Sequence, residues 1–316
     1  MTNQALLDSF PFPLRDDIYR FSNNSIPLVP PCSIDVTSTY VEEVKSKRDL
    51  LSSHPNRCYQ STPHTMTAQW EIVDLVAHHL ATYFPDQFHL EKHGNRWTIG
   101  NEPLGERVSF TFGDSSTLPQ EPLDFIGRHV QEDLILMMQR DGNLFLDAGQ
   151  LCFPANWSLA FDLGMTFKEI HKPIPGFQDH GLDDRILNFL MRLEAGQPWG
   201  RRNWSMMAGS RLDTSLETFD EWGKARHQVT MENVGELVHL RVEVQKLFRL
   251  PRSHGIFFTI HSHMLPLHLL KHKPEWLQRF YLVLSELPHS IADYKGIGLY
   301  RNTAVEYLKR LLDESR

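Results

Sequence analysis

The stretch that decides the fold runs through Leu237–Leu250 (LVHLRVEVQKLFRL), Pro251–Gly255 (PRSHG) and Ile256–Ile260 (IFFTI). Apolar and polar residues alternate along the first segment, which is the period of two shown by a β-strand with one apolar face. Proline and glycine in the middle segment predict a turn, and the apolar third segment predicts a second strand. We therefore expect two adjacent strands of a sheet here.

The first of these strands carries a polar stripe made of Arg241, Glu243 and Gln245. Such a stripe is usually the solvated face of a strand, and the alternative is the polar wall of a ligand site. Arg249, near the end of the same strand, either terminates it or clamps an anion such as a carboxylate. The segment Arg201–Trp204 leaves the same choice between solvent and ligand.

Further strands are predicted on both sides of a helical middle. The runs Asp133–Gln139 and Leu144–Phe153 flank Arg-Asp-Gly-Asn, which is a hairpin signal. Shorter strands are expected at Arg96–Ile99, Val108–Phe112 and Trp199–Met207. This order favours an α+β fold with an antiparallel sheet over a βαβ series.

Apolar residues at three- and four-residue steps predict the helices. The expected helices cover Val41–Leu51, Trp70–Phe84, Leu123–His129, Trp157–Ile170, Leu182–Glu194, Glu275–Glu286 and Asn302–Glu314. Residues 1–65 are rich in Pro, Ser, Asn and Thr, so we expect an extended N-terminal arm there. Residues 66–316 are expected to form one domain with N- and C-terminal helical additions.

Composition excludes several classes of protein. The chain has 316 residues, 41% hydrophobic and 22% charged, with a formal net charge of −7 that does not favour a nucleic-acid partner. The first twenty residues lack a basic segment followed by an apolar one, and histidines interrupt the most apolar stretch, Ile256–Leu270. We therefore expect no signal peptide, no membrane span and a cytoplasmic location.

Cysteine and motif content limits which cofactors this chain can hold. Its three cysteines, Cys32, Cys58 and Cys152, are widely spaced and form no CxxC pair, whereas an iron–sulfur cluster usually takes four thiolates. No G-x-G-x-x-G follows a strand, and no P-loop or G-x-S-x-G occurs. Neither an iron–sulfur cluster nor a nucleotide cofactor is expected in this chain.

Histidine is the informative residue type, with 17 in the chain. His261 and His263 lie two apart in a predicted strand and so point to one face, a spacing that suits a divalent metal but is more often a surface feature. His171 ends a predicted helix just before Pro173 and Pro175. There it either stabilises the helix end through the helix dipole, or the rigid loop holds its imidazole in one direction.

Taken in order, seven short segments resemble the haem-dependent oxidative N-demethylase family, large subunit of the dimethylamine monooxygenase type. They are Gln131–Leu134, Phe153–Trp157, Ile170–Pro175, Arg202–Trp204, Leu240–Gln245, Arg249–Pro251 and Tyr294–Gly296. No single segment is specific, but the ordered series is, and it extends over about half of the chain.

The resemblance implies a PAS-like fold that binds one b-type haem. It implies NADPH- and O₂-dependent demethylation of a small secondary amine, dimethylamine, to methylamine and formaldehyde. Related complexes carry FMN, an iron–sulfur cluster and tetrahydrofolate on other subunits. Reductase and tetrahydrofolate-binding partners in a hetero-oligomeric complex are therefore implied, in keeping with the missing cofactor motifs of this chain.

Roles for individual residues follow from the resemblance. His171 lies in a family motif and is the expected axial ligand of the haem iron, with His180 and His254 as the next choices. The haem propionates need cations, for which Arg202 and Arg249 are expected. Glu243 is the expected acceptor for the protonated amine. Either Arg241 or Gln245 is expected to polarise iron-bound O₂ by hydrogen bonding.

Two other classes of function stay open at this point. A PAS-like haem or gas sensor would bind haem without turnover, although sensors usually carry an output domain. A non-haem metal enzyme would use His261 and His263. A Soret band in the purified protein would favour haem over the second class at once.

Overall fold

A large antiparallel sheet forms the centre of the molecule in the computed structural model, which describes residues 2–20, 24–179 and 181–314. The described residues form ten strands: β1 (Ile26–Pro27), β2 (Tyr59–Ser61), β3 (Phe88–His93), β4 (Arg96–Asn101), β5 (Glu106–Thr111), β6 (Asp133–Arg140), β7 (Asn143–Gln150), β8 (Trp199–Ala208), β9 (Val238–Arg249) and β10 (Ile256–Pro266). Seven strands make the central sheet in the order β1-β8-β9-β10-β6-β7-β2, and β3-β4-β5 make a second, smaller sheet.

Helices cover the central sheet. In chain order they are α1 (Asn3–Ser9), α2 (Tyr40–Ser53), α3 (Pro55–Cys58), α4 (Met66–Tyr83), α5 (Pro122–Gly127), α6 (Leu159–Asp162), α7 (Phe167–His171), α8 (Leu182–Met191), α9 (Phe219–Trp222), α10 (Val234–Leu237), α11 (Pro274–Glu286), α12 (His289–Tyr294) and α13 (Arg301–Glu314). Within the described ranges, no helix has the length and apolar character needed to cross a membrane. The α+β prediction is confirmed, and the PAS-like assignment stays a prediction.

The alternation along β9 gives the central sheet two different faces. β9 pairs antiparallel with β8 on one side and with β10 on the other, so residues opposite each other in the register share a face. Arg241, Glu243 and Gln245 lie on one face of the sheet. We call it the His171 face because helix α7, which ends at His171, packs on it. Val242 and Val244 lie on the other, which we call the His261 face because it carries His261 of β10.

Each face is covered by its own apolar layer. On the His171 face, Leu247 and Ile260 pack with Phe167 and Leu187 from α7 and α8. On the His261 face, one cluster joins Leu240 and Val242 to α11 and α13, and another joins Phe248 and Phe257 to α2, α4 and α5. Burying each such side chain contributes roughly 1.5–3 kcal/mol, so both faces stabilise the sheet.

The strand expectations are largely confirmed, but one strand and one helix differ in a way that bears on the site. β10 continues to Pro266, six residues beyond the expected end, so His261 and His263 lie inside the strand. The single helix expected over Trp157–Ile170 is wrong. Gly164, with a φ of 82°, ends α6, and Thr166 bridges to Phe145 of β7 before α7 begins.

The first 65 residues contribute to both edges of the central sheet. β1 pairs with β8 at one edge, and β2 pairs with β7 at the other. Between them α2, close to the expected Val41–Leu51 helix, packs Val44 and Leu51 into the interior. The segment expected as an extended arm therefore contains sheet and core elements, and its division from the rest at residue 65 stays a prediction.

Candidate functional site

The polar stripe of β9 is a buried row on the His171 face. Arg241, Glu243 and Gln245 are 0%, 7% and 7% exposed. A solvated strand face is therefore excluded as the explanation of this stripe. Polar groups are rarely placed in such a position without partners, so their contacts decide what the row does.

Glu243 lies at the centre of the buried row. Its Oε2 accepts hydrogen bonds from Asn203 Nδ2 at 3.2 Å and from Gln245 Nε2 at 2.9 Å. Its Oε1 lies 3.7 Å from the Nε of Arg241. The carboxylate is thus fixed by neutral amides and lies within reach of a buried cation.

Arg241 is held by the backbone of two loops. Its guanidinium donates to Phe153 O at 2.6 Å, Leu212 O at 2.8 Å and Ser262 Oγ at 2.8 Å. Its Nε is buried and, among the described residues, has no hydrogen-bond partner. This arginine fixes the loops that close one end of the row and faces Glu243 with its remaining donor.

Arg201 of β8 brings a second cation to the same face. It is paired in register with Gln245, so its side chain shares the side of the sheet occupied by the row. Its Nε is buried and has no hydrogen-bond partner among the described residues. Burial lowers the pKa of Arg201, and neighbouring Glu243 opposes that shift. A half-buried arginine whose buried Nε has no partner among the described residues fits an anionic group that this chain does not itself provide.

Lys295, directly after α12, completes the charged group. Its Nζ donates to the backbone oxygen of Trp204 at 2.6 Å. Burial lowers the pKa of Lys295 to about 8, with Glu243 raising it and Arg201 lowering it. The adjacent Tyr294 has its pKa raised by burial first and by Glu243 second. Lys295 can therefore exchange a proton near neutral pH beside Glu243.

His171 ends α7, and its imidazole is fixed from one side. The helix starts with a capping box in which the hydroxyl of Thr166 and the carboxylate of Glu169 each bond the other's backbone N–H. The Nδ1 of His171 lies 2.8 Å from Phe167 O, so Nδ1 carries the proton and donates it to that carbonyl. Phe177 stacks on the ring at 5.4 Å.

The electronic state of His171 suits a ligand to iron. Burial lowers the pKa of His171 to about 4; the bond to Phe167 opposes that shift and Arg201 adds to it. The imidazole is therefore neutral at pH 7, with the lone pair on Nε2. No described residue forms a hydrogen bond with Nε2. Donation of Nδ1–H to a carbonyl is the arrangement that orients metal-bound histidines.

An apolar layer lies beside this histidine. It contains Ile135, Leu146, Phe167, Phe177, Leu187, Leu190, Leu247 and Ile260, with Phe189 and Trp199 at its margin. A surface cleft of about 510 Å³ opens between α8 and β8 and is lined by Phe189, Trp199, Arg185 and Arg192. A flat apolar group with acidic substituents would match this combination of an apolar wall with arginines.

The structure does not bring Arg202 to His171. As the neighbour of Arg201, it points to the opposite face of β8, where its Nη1 donates to Phe12 O at 2.9 Å. It is exposed there and lines a surface groove with Arg15 and Arg279. The propionate role predicted for Arg202 therefore has less support in this geometry than the same role for Arg201.

Arg249 lies on the His171 face but has no donor to spare. Its five N–H groups bond Leu193 O at 3.0 Å, Gln139 Oε1 at 2.9 Å, His254 O at 2.5 Å, Leu190 O at 2.9 Å and Met191 O at 2.9 Å. Three of these oxygens belong to the C-terminal end of α8 and the residues after it. The contacts make Arg249 a clamp on α8 and leave nothing free for a propionate.

Neither alternative axial histidine gains support. His254 is exposed in the β9–β10 turn with a φ of 55°. His180 lies outside the described residues. His171 therefore remains the histidine for which the geometry supplies both a fixed ring and a free nitrogen.

His261 and His263 share one face, as predicted, and it is the face opposite His171. Their ring centroids are 4.3 Å apart. The side chains whose donor atoms converge with His261 are the carboxylates Asp35 and Glu132, rather than His263. His261 therefore belongs to a buried cluster of ionisable groups, and His263 lies at the margin of that cluster.

Sequence reasoning missed Arg201, Tyr294 and Lys295 as members of the site. The segment Arg201–Trp204 had been left between solvent and ligand, and alternation along β8 alone cannot say which residue faces which side. Tyr294 and Lys295 belong to a segment quoted for the resemblance, which was the available signal. Their position beside Glu243 depends on the packing of α12 against β8.

A comparison with protein-family models gives a match over most of the chain. The model described as haem-dependent oxidative N-demethylase, alpha subunit-like, matches residues 27–305, which is most of the chain.

Proposed function

This chain belongs to the haem-dependent oxidative N-demethylase, alpha subunit-like family, and we propose that it binds one haem b through His171 and demethylates dimethylamine. In this reaction dimethylamine, O₂, NADPH and a proton give methylamine, formaldehyde, NADP⁺ and water. NADPH supplies two electrons through partner subunits. The single observation that carries the proposal is the fixed, neutral His171 with a free Nε2 beside an unpartnered Arg201.

The residues of the His171 face fit a haem. A haem needs an imidazole nitrogen, an apolar wall and cations for its propionates, and His171, the apolar layer and Arg201 offer these in one place. The unused buried donor of Arg201 is the strongest sign, because an unsatisfied buried donor costs about 1–3 kcal/mol. When bound, haem would supply the redox-active iron that O₂ chemistry requires.

The chain's own residues would select the amine. Glu243 carries the negative charge of the row and is held in place by Asn203 and Gln245. A small ammonium ion offers little apolar surface, so its recognition rests on that carboxylate and on hydrogen bonds. Arg241 acts through Glu243, since most of its donors hold loop carbonyls, and it is a positioning residue in this proposal. Gln245 orients Glu243 through Nε2 and would keep a second N–H available to O₂ in the site.

Lys295 is the proposed proton reservoir. Its pKa of about 8 lets it hold or release a proton close to the operating pH, as efficient proton transfer requires. In this proposal Lys295 holds or passes the proton that the overall reaction consumes. Tyr294 beside it provides a hydroxyl for the same path.

Electron supply is the proposed task of partner subunits. The chain has three cysteines, too few for a cluster held by four thiolates, and no nucleotide-binding motif. FMN, the iron–sulfur cluster and tetrahydrofolate are therefore placed on a reductase and a tetrahydrofolate-binding subunit, in a cytoplasmic complex.

The test starts with the purified chain and haem. We expect one haem per chain, a Soret band that shifts when dimethylamine is added, and formaldehyde once a reductase and NADPH are supplied. Failure to bind haem overturns the proposal. Steady amine-dependent NADPH oxidation by this chain alone contradicts the partner requirement. Haem binding without formaldehyde from any small amine, under reducing conditions and O₂, favours a gas sensor.

A further inference from the structure

A second buried cluster lies on the His261 face, outside the site described above. It contains His261 of β10, Glu132 just before β6, and Asp35 in the loop that follows β1. One donor atom from each residue lies within 4.8 Å of the other two. His261 is 2% exposed and Glu132 is 0% exposed, so three distant parts of the chain bring ionisable groups together in the interior.

Two atoms of this cluster lack the hydrogen bonds that burial demands. Glu132 Oε1 accepts the backbone N–H of Asp35 at 2.6 Å, but Glu132 Oε2 has no hydrogen-bond partner among the described residues. His261 Nδ1 is likewise buried without one, and the closest carboxylate oxygen, Glu132 Oε1, is 3.7 Å away. Buried polar atoms almost always have a partner, so these two point to an occupant.

The charges of the cluster point to a cation. Asp35, Glu43 and Glu132 contribute three carboxylates, and Glu43 Oε2 lies 3.5 Å from His261 Nε2. Lys246, whose Nζ is 2.9 Å from Asp35 Oδ2, is the ammonium that faces them. With a neutral imidazole, three carboxylates and one ammonium leave two negative charges in excess, which one divalent cation would balance.

Protons and a cation would compete for these buried donors. Burial raises the pKa of Glu132, while Glu43 and Glu132 overcome the effect of burial and hold the pKa of His261 above its usual value. Metal binding would displace these protons, as it does whenever ligands must be deprotonated. Asp35 is partly exposed, which gives an ion a route from solvent to the buried donors.

We propose that Asp35, Glu132 and His261 bind one Zn²⁺ ion through His261 Nδ1, while Glu43 orients the ring from its Nε2 side. One imidazole with carboxylates at low coordination number is a donor set that Zn²⁺ accepts. The ion would tie the loop at Asp35 to the start of β6 and to β10. Its role is structural, because every donor comes from a different element and the site lies on the opposite face from His171.

The experiment uses the full chain without a histidine tag, stripped of metal and free of haem. Titration with ZnCl₂ in a calorimeter should give one binding event, elemental analysis one zinc per chain, and the melting temperature should rise with zinc. His261→Gln should weaken zinc binding by at least the roughly 100-fold that loss of even an outer-sphere partner can cost. Glu132→Gln keeps the volume of the side chain and should have the same effect.

His263→Gln is the matched control, because His263 lies beside His261 on the same strand face but outside the converging donors. It should bind zinc as the wild type does. Absence of zinc binding by the wild type would identify a proton-sharing ion network and overturn the proposal. Equal losses in His263→Gln and His261→Gln would overturn it as well. Circular dichroism of each variant separates unfolding from loss of the site.

Discussion

The two faces of β9 and β10 are made of alternate residues of the same strands, yet they carry opposite charge. On the His171 face, Arg201, Arg241 and Lys295 lie around the carboxylate of Glu243. On the His261 face, three carboxylates and His261 surround Lys246. The first arrangement suits a group with acidic substituents, and the second suits a cation.

The difference shows that one sheet can separate two chemistries by a single residue step. Side chains of neighbouring residues in a strand point to opposite faces, with the backbone ladder between them. If the two sites are independent, a substitution on one face should leave ligand binding on the other face unchanged.

Removal of the imidazole from the His171 face should have the largest effect. His171→Ala deletes the free Nε2, so we expect haem content to fall to background and the ferric Soret band to be lost. Zinc binding on the His261 face should not change. The measurement is the absorbance spectrum after haem titration, with zinc calorimetry on the same sample.

His254→Asn is the control for this experiment. His254 is exposed and has a φ of 55°, a conformation that asparagine also tolerates. It should bind haem normally. Normal haem content and an unchanged Soret band in His171→Ala would remove His171 from the ligand role.

The next largest effect should distinguish two arginines of the His171 face. Arg249→Met leaves five oxygens without their donor and should lower the free energy of unfolding by about 3–5 kcal/mol. Arg201→Met removes a buried cation with an unused donor, so the apo-protein should be unchanged or more stable, while haem binds more weakly. Urea unfolding of the haem-free protein measures the change in stability. Haem titration measures the change in haem affinity.

The contrast fails if both arginines behave alike. A similar loss of stability in Arg201→Met would show that its guanidinium is part of the framework, as Arg249 is. Unchanged haem affinity in Arg201→Met would remove the propionate role from this residue.

Neutralisation of Glu243 should weaken amine recognition. Glu243→Gln keeps the volume of the side chain but removes the charge that the ammonium needs. A lost partner of a buried charge pair costs about 3–5 kcal/mol, or roughly two to three decades in affinity. We expect the dimethylamine titration of the haem spectrum to move by that factor with normal haem content.

Glu132→Gln is the same substitution on the His261 face and serves as the control. It should leave the amine titration unchanged while it weakens zinc binding. Wild-type amine affinity in Glu243→Gln would show that the buried row has another purpose. Loss of haem itself from Glu243→Gln would assign a structural role to Glu243.

The smallest expected effect is a pH dependence from Lys295. Its folded pKa of about 8 lies below its ordinary value of 10.5, so between these values the unfolded chain binds more protons than the folded chain. Stability contributed by this group therefore rises as pH increases from 8 to 10.5. Lys295→Met should remove that rise, measured as the difference between the two unfolding curves across the pH range. Parallel pH profiles would show that Lys295 is not perturbed.

Much of the fold follows from local patterns. The alternation in Leu237–Leu250 and the turn signal before Leu144 give β9 and the β6–β7 hairpin, because strand period and turn chemistry are written in neighbouring residues. The division of α6 from α7 was missed because Gly164 breaks a helical pattern only when a bridge to β7 competes with it. Local helix propensity carries no information about a bridge to a distant strand.

The site is less accessible to such reasoning. Glu243 and Gln245 were predicted because they share a strand face, and His171 because it lies in a family motif followed by rigid prolines; their roles stay predictions. Arg202 was chosen where Arg201 faces His171, a displacement of one residue that sequence alone cannot resolve, since register decides the face. Arg249 was taken for an anion clamp because nothing local shows that the end of α8 uses all its donors.

The two edge strands of the central sheet, both from the first 65 residues, impose an order on biosynthesis. β2 finds its partner only after β7 has emerged from the ribosome, and β1 waits for β8, more than 170 residues later. Until then the growing chain exposes unpaired sheet edges, which are the places where chains aggregate. Once formed, the two-residue strand β1, with Pro27 lacking an N–H, presents almost no template for a neighbouring molecule. β1 thus waits longest for its partner strand during synthesis, and it shields one edge of the finished sheet from self-association.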